Sequence, residues 1–420
     1  MIDESTVLNG REPAPRRRRE WPYTLDVEAI RDAGWTPTPF RQFILKIHGR
    51  CDLACDYCYM YRGPDQSWRR QPPAMSREVI EAAALRIAEH AHAHGTTAVD
   101  IVLHGGEPLL AGPDLISYAV ETIEAAAGGG VTVRVSIQTN GMRLTDRYLM
   151  VLDALGVHVG VSIDGAGAAH DRHRVRADGR GSHAQVAEAI QRLSAGPYRH
   201  LFAGLLCTID VRNDPVATYD ALLAFDPPAV DFLLPHANWR SPPPGREPGA
   251  SATPYADWLI AVFDRWYGAP AQRTSVRVLE EIIAMLLGGA SGTEGLGLSP
   301  SSCLVIETDG AIGQDDALRT AYPGAAWTGL HVSRDPLDRA LSLPPIAARQ
   351  LGAGALAEVC RSCDLHRVCG GGYYPHRYRP GSGFANPSVY CPDLYALIAR
   401  VRDRLTADIA DLAAAGRALP

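Results

Sequence analysis

Cys51, Cys55 and Cys58 stand at C-x3-C-x2-C spacing in the string CDLACDYCYMY, directly after an apolar run that reads as a strand. One loop can therefore bring three thiolates together at a strand's C-terminal end. Iron–sulfur clusters are ordinarily caged by four thiolates, so three leave one iron open, as an open metal site is for its substrate. A structural zinc knuckle short of one ligand is the alternative. The second set, Cys360-x2-Cys363-x5-Cys369 with Cys391 farther on, offers four thiolates. That number suits a closed tetrahedral zinc site or a fully ligated iron–sulfur cluster, and spacing alone does not choose. Of the nine cysteines, Cys303 stands outside both sets. Cys207, inside a strand-like run, reads as a small buried hydrophobe.

The elements that must position these residues follow from periodicity. Strand-like runs occur at Phe43 to Ile47, Val99 to Leu103, Val131 to Ile137, Val157 to Ile163, Phe202 to Ile209 and Val230 to Leu234. Helix-like runs lie between them at Arg77 to Ala93, Leu115 to Ala126, Asp146 to Leu155, His183 to Leu193 and Pro215 to Ala224, with Tyr255 to Trp266 as a possible sixth. This alternation predicts an α/β protein with a parallel sheet, a partial (β/α)6 TIM-like barrel whose chemistry sits at the strands' C-terminal ends. The expected organisation is an N-terminal arm over 1–40, the barrel over 41–240, a linker with bridging helices over 241–300, and a second domain over 301–420. The linker holds the Pro/Gly-rich stretch Ser241 to Thr253 and a helical stretch from Val276 to Leu287. The second domain opens on a hairpin around Asp309-Gly310.

The three-cysteine loop resembles that of the radical S-adenosylmethionine (SAM) superfamily, and the resemblance extends from Arg41 to Gly204. It implies a [4Fe-4S] cluster on Cys51, Cys55 and Cys58, chelated by SAM, whose reductive cleavage yields a 5'-deoxyadenosyl radical that removes a substrate hydrogen. The polar strings that end the strands fit such a site. His104-Gly105-Gly106-Glu107-Pro108 looks like the family's GGEP element, whose glycines admit close backbone approach to an ammonium group while Glu107 stabilises the turn. Gln138-Thr139-Asn140-Gly141 and Ser162-Ile163-Asp164-Gly165 offer hydrogen-bond partners to ribose hydroxyls and a carboxylate. By resemblance, Leu206 and Tyr57 line the adenine. His104 either takes part or only packs locally.

The second cysteine set resembles the SPASM extension of radical SAM peptide maturases, which favours one auxiliary [4Fe-4S] cluster on Cys360, Cys363, Cys369 and Cys391. A full extension holds two clusters. Here the cysteine of its G-x4-C element is replaced by Asp315 and that of its C-x3-C step by Tyr373, so the outer cluster is expected to be lost. Asp316 follows directly, matching an aspartate that acts as base in anaerobic sulfatase-maturing relatives. Glu307 and Asp315 are competitors, and a plain loop carboxylate is the bland reading. The strings CDLACDYCYMYRGPDQSW, GVSIDGAGAAHDRHR, FLLPHANW, SGTEGLGL, VIETDG and CGGGYYPHRY resemble FxsB-type maturases. That likeness implies a cyclophane crosslink, from an aromatic ring carbon to a β-carbon, in a ribosomally made precursor peptide. A thioether-forming or formylglycine-type maturase is the alternative. Such chemistry implies a low-potential electron donor such as ferredoxin or flavodoxin. Trp239, Tyr373 and Tyr374 could stack on the substrate's ring or belong to the core.

Composition excludes other classes. The net charge of -6 over 420 residues, with 46% hydrophobic, is that of an ordinary globular enzyme. The one basic cluster, Arg16 to Arg19, reads as a solvated tail, so no nucleic-acid partner is expected. No apolar run approaches the ~18 residues of a membrane span, and residues 1–15 lack a signal-peptide core. A cytoplasmic location is expected.

Overall fold

The computed structural model describes residues 20–247 and 250–414. The Arg16 to Arg19 cluster lies outside them. The strands are β1 Gln42–His48, β2 Ala98–Gly105, β3 Thr132–Thr139, β4 His158–Ser162, β5 Phe202–Thr208, β6 Ala229–Leu233, β7 Ser275–Val276, β8 Cys303–Ile306, β9 Ala311–Gly313 and β10 Trp327–His331. The longer helices are α1 Arg77–Ala93, α2 Pro113–Ala127, α3 Asp146–Ala154, α4 His183–Ala195, α5 Pro215–Leu223, α6 Pro254–Tyr267, α7 Arg277–Leu286 and α8 Cys391–Ala414. Strand and helix alternate from β1 to α6, and β1 pairs in parallel with β2 and β8, β2 with β3, and β6 with β5 and β7. The expected α/β class holds. Among the described residues no helix is long and apolar enough to cross a membrane.

The described residues form two compact units, each discontinuous in sequence, which divide after residues 139, 142, 159, 300 and 350: the first holds 143–159, 301–350 and the described residues up to 139, the second 140–142 and the described residues of 160–300 and from 351 on. In the first unit the strand order is β10-β9-β8-β1-β2-β3. Parallel pairing of β1 with β2 sets Phe43 beside Ile101 and Leu45 beside Leu103, and all four side chains are fully buried. The near-continuous apolar character of β1 is what a strand covered on both faces requires. β8 adds to the other edge of β1 in parallel, with Gln42 opposite Cys303 and Leu45 opposite Ile306. Helix α1 starts where the Ser76 hydroxyl accepts from the Val79 N–H at 3.3 Å, a side-chain cap on an otherwise orphaned donor. Near its end, His90 Nε2 accepts from the Phe40 N–H at 2.9 Å. That bond leaves the proton on Nδ1, which meets Asp338 and ties α1 to the 337–342 turn.

In the second unit β6 pairs in parallel with both β5 and β7. Helix α5 opens on Asp214, whose carboxylate accepts from the Ala217 N–H at 2.7 Å, with Pro215 in the first turn where no N–H is needed. Helix α8 buries Leu394, Leu397, Ile398, Val401 and Leu405 along one stripe. From its first turn Asp393 accepts from the Tyr255 and Ala256 N–H groups at 3.0 and 3.2 Å. One carboxylate thereby caps α6, pairs with Arg246 at 3.0 Å, and fixes the end of α8 that carries Cys391.

Candidate active site

The first three cysteines lie on the loop that leaves β1. Arg50 shapes this loop, donating to the carbonyls of Gly49, Trp68 and Gln71 at 3.0, 3.1 and 2.9 Å while its guanidinium faces the Trp68 ring. The Cys58 N–H donates to the Cys55 carbonyl at 3.3 Å, and Cys58 opens the short helix Tyr59–Arg62. All three thiols are half-buried. Burial, with help from Glu107, Asp52 and Cys55, pushes the Cys51 thiol up to about 12. A thiol gives up its proton on binding a metal, so metal affinity at this loop depends on pH.

The glycine turn after β2 closes against this loop. The Gly106 N–H donates to the His48 carbonyl and the Glu107 N–H to the Arg50 carbonyl, each at 2.9 Å. A Cβ at Gly106 would stand 1.8 Å from the Tyr61 hydroxyl and 2.5 Å from the Arg50 carbonyl, and one at Gly105 2.1 Å from the His48 carbonyl. Only glycine fits. Glu107 is fully buried, and its Oε1 accepts from the Leu109 N–H at 3.0 Å and the Thr139 hydroxyl at 2.7 Å. Its carboxylate stabilises the turn at Pro108, as expected. Gln138 is half-buried at the end of β3 and Tyr57 half-buried beside Cys58.

The remaining SAM-site candidates fall in the second unit. Asn140 Oδ1 accepts from the Met142 N–H at 2.9 Å, a local turn bond. The Ile163 N–H donates to the Leu206 carbonyl at 2.9 Å, and Asp164 Oδ1 accepts from the Thr208 N–H at 3.0 Å. Ser162, Asp164 and Leu206 are therefore brought together. The Asp164 N–H in turn donates to His170 Nδ1 at 3.2 Å, and His170 Nε2 meets the Ser182 hydroxyl at 2.9 Å. With Nδ1 accepting, the imidazole is neutral. Burial, together with Arg174 and His183, pushes His170 down to about 2.

Asp316 sits in the first unit at the start of a short 3-10 helix, Asp316–Thr320. Its Oδ2 takes an ion pair from Lys46 Nζ at 2.7 Å and its Oδ1 one from Arg319 Nε at 3.3 Å. Arg319, nearly inaccessible, also reaches Glu307, the Ser67 hydroxyl at 2.8 Å and Asp65 at 3.8 Å. Burial alone would raise the Asp316 carboxyl, but Lys46 and Arg319 override it and hold it well below the ordinary range. For Glu307 burial outweighs the same two cations, and its carboxyl is raised. His104, at the end of β2, is pushed down to about 4 by burial and by Lys46. Sequence reasoning missed Lys46 and Arg319. The signal for Lys46 was a cation inside the apolar run Phe43 to Ile47.

Asp315, where the SPASM pattern has a cysteine, accepts from the Ala317 N–H at 2.8 Å and pairs with Arg349 at 3.4 Å. It works as a helix cap.

In the second unit Cys360 closes toward Cys363 over one helical turn, Cys369 ends the short helix His366–Cys369, and Cys391 begins α8. Burial, then Cys391 and Cys360, raises Cys369 to about 12. Cys360 and Cys363 likewise add to the burial that raises Cys391. Cys360, Cys363, Cys369 and Cys391 offer a soft donor set of the kind a metal centre takes. The turn that follows is Gly370-Gly371-Gly372 at φ of 59°, 78° and 70°. A Cβ at Gly370 would stand 1.7 Å from the Gly297 carbonyl. Of the aromatic candidates, Trp239 donates to the Pro387 carbonyl at 2.7 Å and Tyr374 stacks on Phe384 at 4.6 Å, both packing roles. Tyr373 stands edge-on to His376, with ring centroids 5.2 Å apart.

Residues 45–210 match the Radical SAM superfamily. The chain is 25% identical over 352 residues to the serine-type anaerobic sulfatase-maturating enzyme of Klebsiella aerogenes, covering 83% of this chain and 82% of that one. It is 24% identical over 276 residues to the cysteine-type anaerobic sulfatase-maturating enzyme of Clostridium novyi (strain NT), covering 62% and 69%. Among solved structures, native anSMEcpe with bound AdoMet and Cp18Cys peptide superposes with a TM-score of 0.74 at 21% identity, over 89% of this chain and 100% of that one. Streptococcus suis SuiB bound to precursor peptide SuiA gives 0.52 at 14% identity, over 87% and 78%. These structural likenesses are of fold. Sequence match, cysteine loop and parallel frame together define a radical SAM enzyme, an oxidoreductase that cleaves SAM reductively. That class implies a [4Fe-4S] cluster and SAM, and the three-thiol loop and glycine cradle fit them.

Proposed function

We propose that the chain is a SPASM-type maturase that oxidises a side chain of a peptide substrate. The observation that carries the reading is the glycine turn at Gly105 and Gly106 closed onto the Cys51 to Cys58 loop, with Asp316 paired to Lys46 of β1, the strand that leads into that loop. When bound, the cluster and SAM supply the radical that takes a hydrogen atom from the substrate. Cys51, Cys55 and Cys58 hold that cluster. Gly105, Gly106, Glu107 and Pro108 shape the place of the SAM ammonium group, Gln138, Thr139, Asn140, Ser162 and Asp164 offer partners to its polar groups, and Leu206 and Tyr57 line the adenine. Asp316, kept ionised by Lys46 and Arg319, receives the proton that the substrate loses. Cys360, Cys363, Cys369 and Cys391 hold the one auxiliary cluster. A low-potential donor such as ferredoxin or flavodoxin supplies electrons, and the location is cytoplasmic.

The relatives, which are anaerobic sulfatase-maturating enzymes, favour formylglycine-type oxidation. The cyclophane reading is favoured by Asp315 and Tyr373, which depart from the two-cluster cysteine pattern. One experiment separates them. Reduced, reconstituted protein and SAM are incubated with a synthetic peptide bearing one serine or cysteine, and with one ending in Phe-x-Ser. An aldehyde captured by a hydrazide supports formylglycine. Loss of two hydrogens with no carbonyl, localised to the aromatic unit, supports the cyclophane. Absence of 5'-deoxyadenosine throughout would sink both.

A further inference from the structure

The turn that follows Cys369 is closed around a buried cation. Arg377 is 8% exposed. It donates through Nε and Nη2 to the Gly372 carbonyl at 3.1 and 2.6 Å, and through Nη2 to the Gly370 carbonyl at 2.5 Å. A Cβ at Gly371 would lie 3.1 Å from its Cζ, so the guanidinium fills the hollow of the three-glycine turn. Its guanidinium is held by these backbone carbonyls rather than by a carboxylate in direct contact, among the described residues. The groups that act on its charge are the Tyr374 hydroxyl, the thiols of Cys369 and Cys360, and the Glu294 carboxylate.

An arginine stays protonated at any working pH, and a buried charge with no contact ion pair is costly. Glu294 acts on it only through space, and the group able to balance it at close range is the one the neighbouring cysteines would hold. Four thiolates bring more negative charge than a [4Fe-4S] core brings positive, and one-electron reduction adds another negative charge. A fixed cation in a water-poor site favours the reduced form.

We propose that Arg377 is the counter-charge of the auxiliary cluster, a positioning residue that raises the cluster's affinity for an electron. This rests on the reading that Cys360, Cys363, Cys369 and Cys391 hold such a cluster.

The test uses the full chain carrying Cys51→Ala, Cys55→Ala and Cys58→Ala, so that auxiliary iron alone is observed. Dithionite titration followed by electron paramagnetic resonance reads the reduction equilibrium for this parent and for Arg377→Gln and Arg377→Lys. The glutamine keeps hydrogen-bond donors without charge, and the lysine keeps charge. Arg377→Gln is expected to lower the one-electron equilibrium constant about tenfold, a midpoint about 59 mV more negative, while Arg377→Lys stays within about threefold. Loss of iron from the glutamine variant alone reports the same charge effect and supports the proposal. Equal shifts, or loss of iron, in both variants would make the role one of holding the turn and overturn it. So would unchanged midpoints in both. A parent that binds no redox-active iron removes the cluster reading itself, and this proposal with it.

Discussion

Lys46 and Arg319 each grip one oxygen of Asp316 in a site almost closed to water. A carboxyl whose value is depressed in the folded state contributes stability above the ordinary carboxylate range, and loses it as pH falls through the folded value. Asp316 therefore stays ionised across about pH 5–8. With whichever peptide is turned over, product formed per 5'-deoxyadenosine should not decline on acidification within that range. In Lys46→Met the carboxyl loses its nearest cation, and the ratio should decline toward the acid end. Asp316→Asn should retain SAM cleavage and lose peptide modification. Urea denaturation supplies a second check on the pair. Removing Lys46 alone leaves a buried charge short of a partner and should cost about 3–5 kcal/mol. The Lys46→Met/Asp316→Asn double variant should cost less than the two single variants summed, because the residues interact directly. Asp316 was legible only through a family pattern, since one carboxylate among many in a sequence has no distinguishing mark. Its two cations are 270 residues before it and 3 after it, and folding alone makes them neighbours.

At the scale of elements, two glycine turns close the cysteine loops. Gly106→Ala would drive a methyl group into the Tyr61 hydroxyl and the Arg50 carbonyl. Purified anaerobically, this variant should lose the iron bound by Cys51, Cys55 and Cys58 and retain the auxiliary iron. Gly370→Ala combines a positive φ of 59° with a contact to the Gly297 carbonyl, and should show the reverse pattern. Iron quantification of each variant, alone and with Cys51→Ala, separates the two. Both turns follow elements whose place could be read from periodicity. Helix α1 runs over Arg77–Ala93 as the spacing predicts, and β2 and β3 end at the glycine and polar strings. The parallel addition of β8 to β1 was not legible. A four-residue strand 255 residues away carries no mark of its partner, and register comes from packing of Leu304, Val305 and Ile306 in the core. The 24-residue helix α8 also went unread, although its buried positions follow helical spacing.

Across the whole molecule, neutral histidines couple folding to pH. His170 is fully buried, held neutral by the Asp164 N–H, and pushed down to about 2, while burial carries His376 well below its usual value. A histidine of lowered value binds its proton more readily in the unfolded chain, so stability falls as pH drops below about 6.5. Calorimetry should find proton uptake on unfolding at about pH 5.5. A lack of uptake would mean these imidazoles are charged in the fold, and a protonated Nδ1 could not accept the Asp164 N–H.

The sequence by itself determined the kinds of chemistry available, because thiol spacing within one loop, turn glycines and the alternation of apolar runs are local properties that a short segment carries intact. It also determined the α/β class, since strand and helix periods differ. Only the tertiary structure decided that Lys46 and Arg319 share Asp316, that Asp315 caps a helix, that Asp393 anchors the start of α8, and that Arg377 fills the turn beyond Cys369. Charges act through space over a few ångströms and leave no periodic trace along the chain. The fold must first bring them within reach.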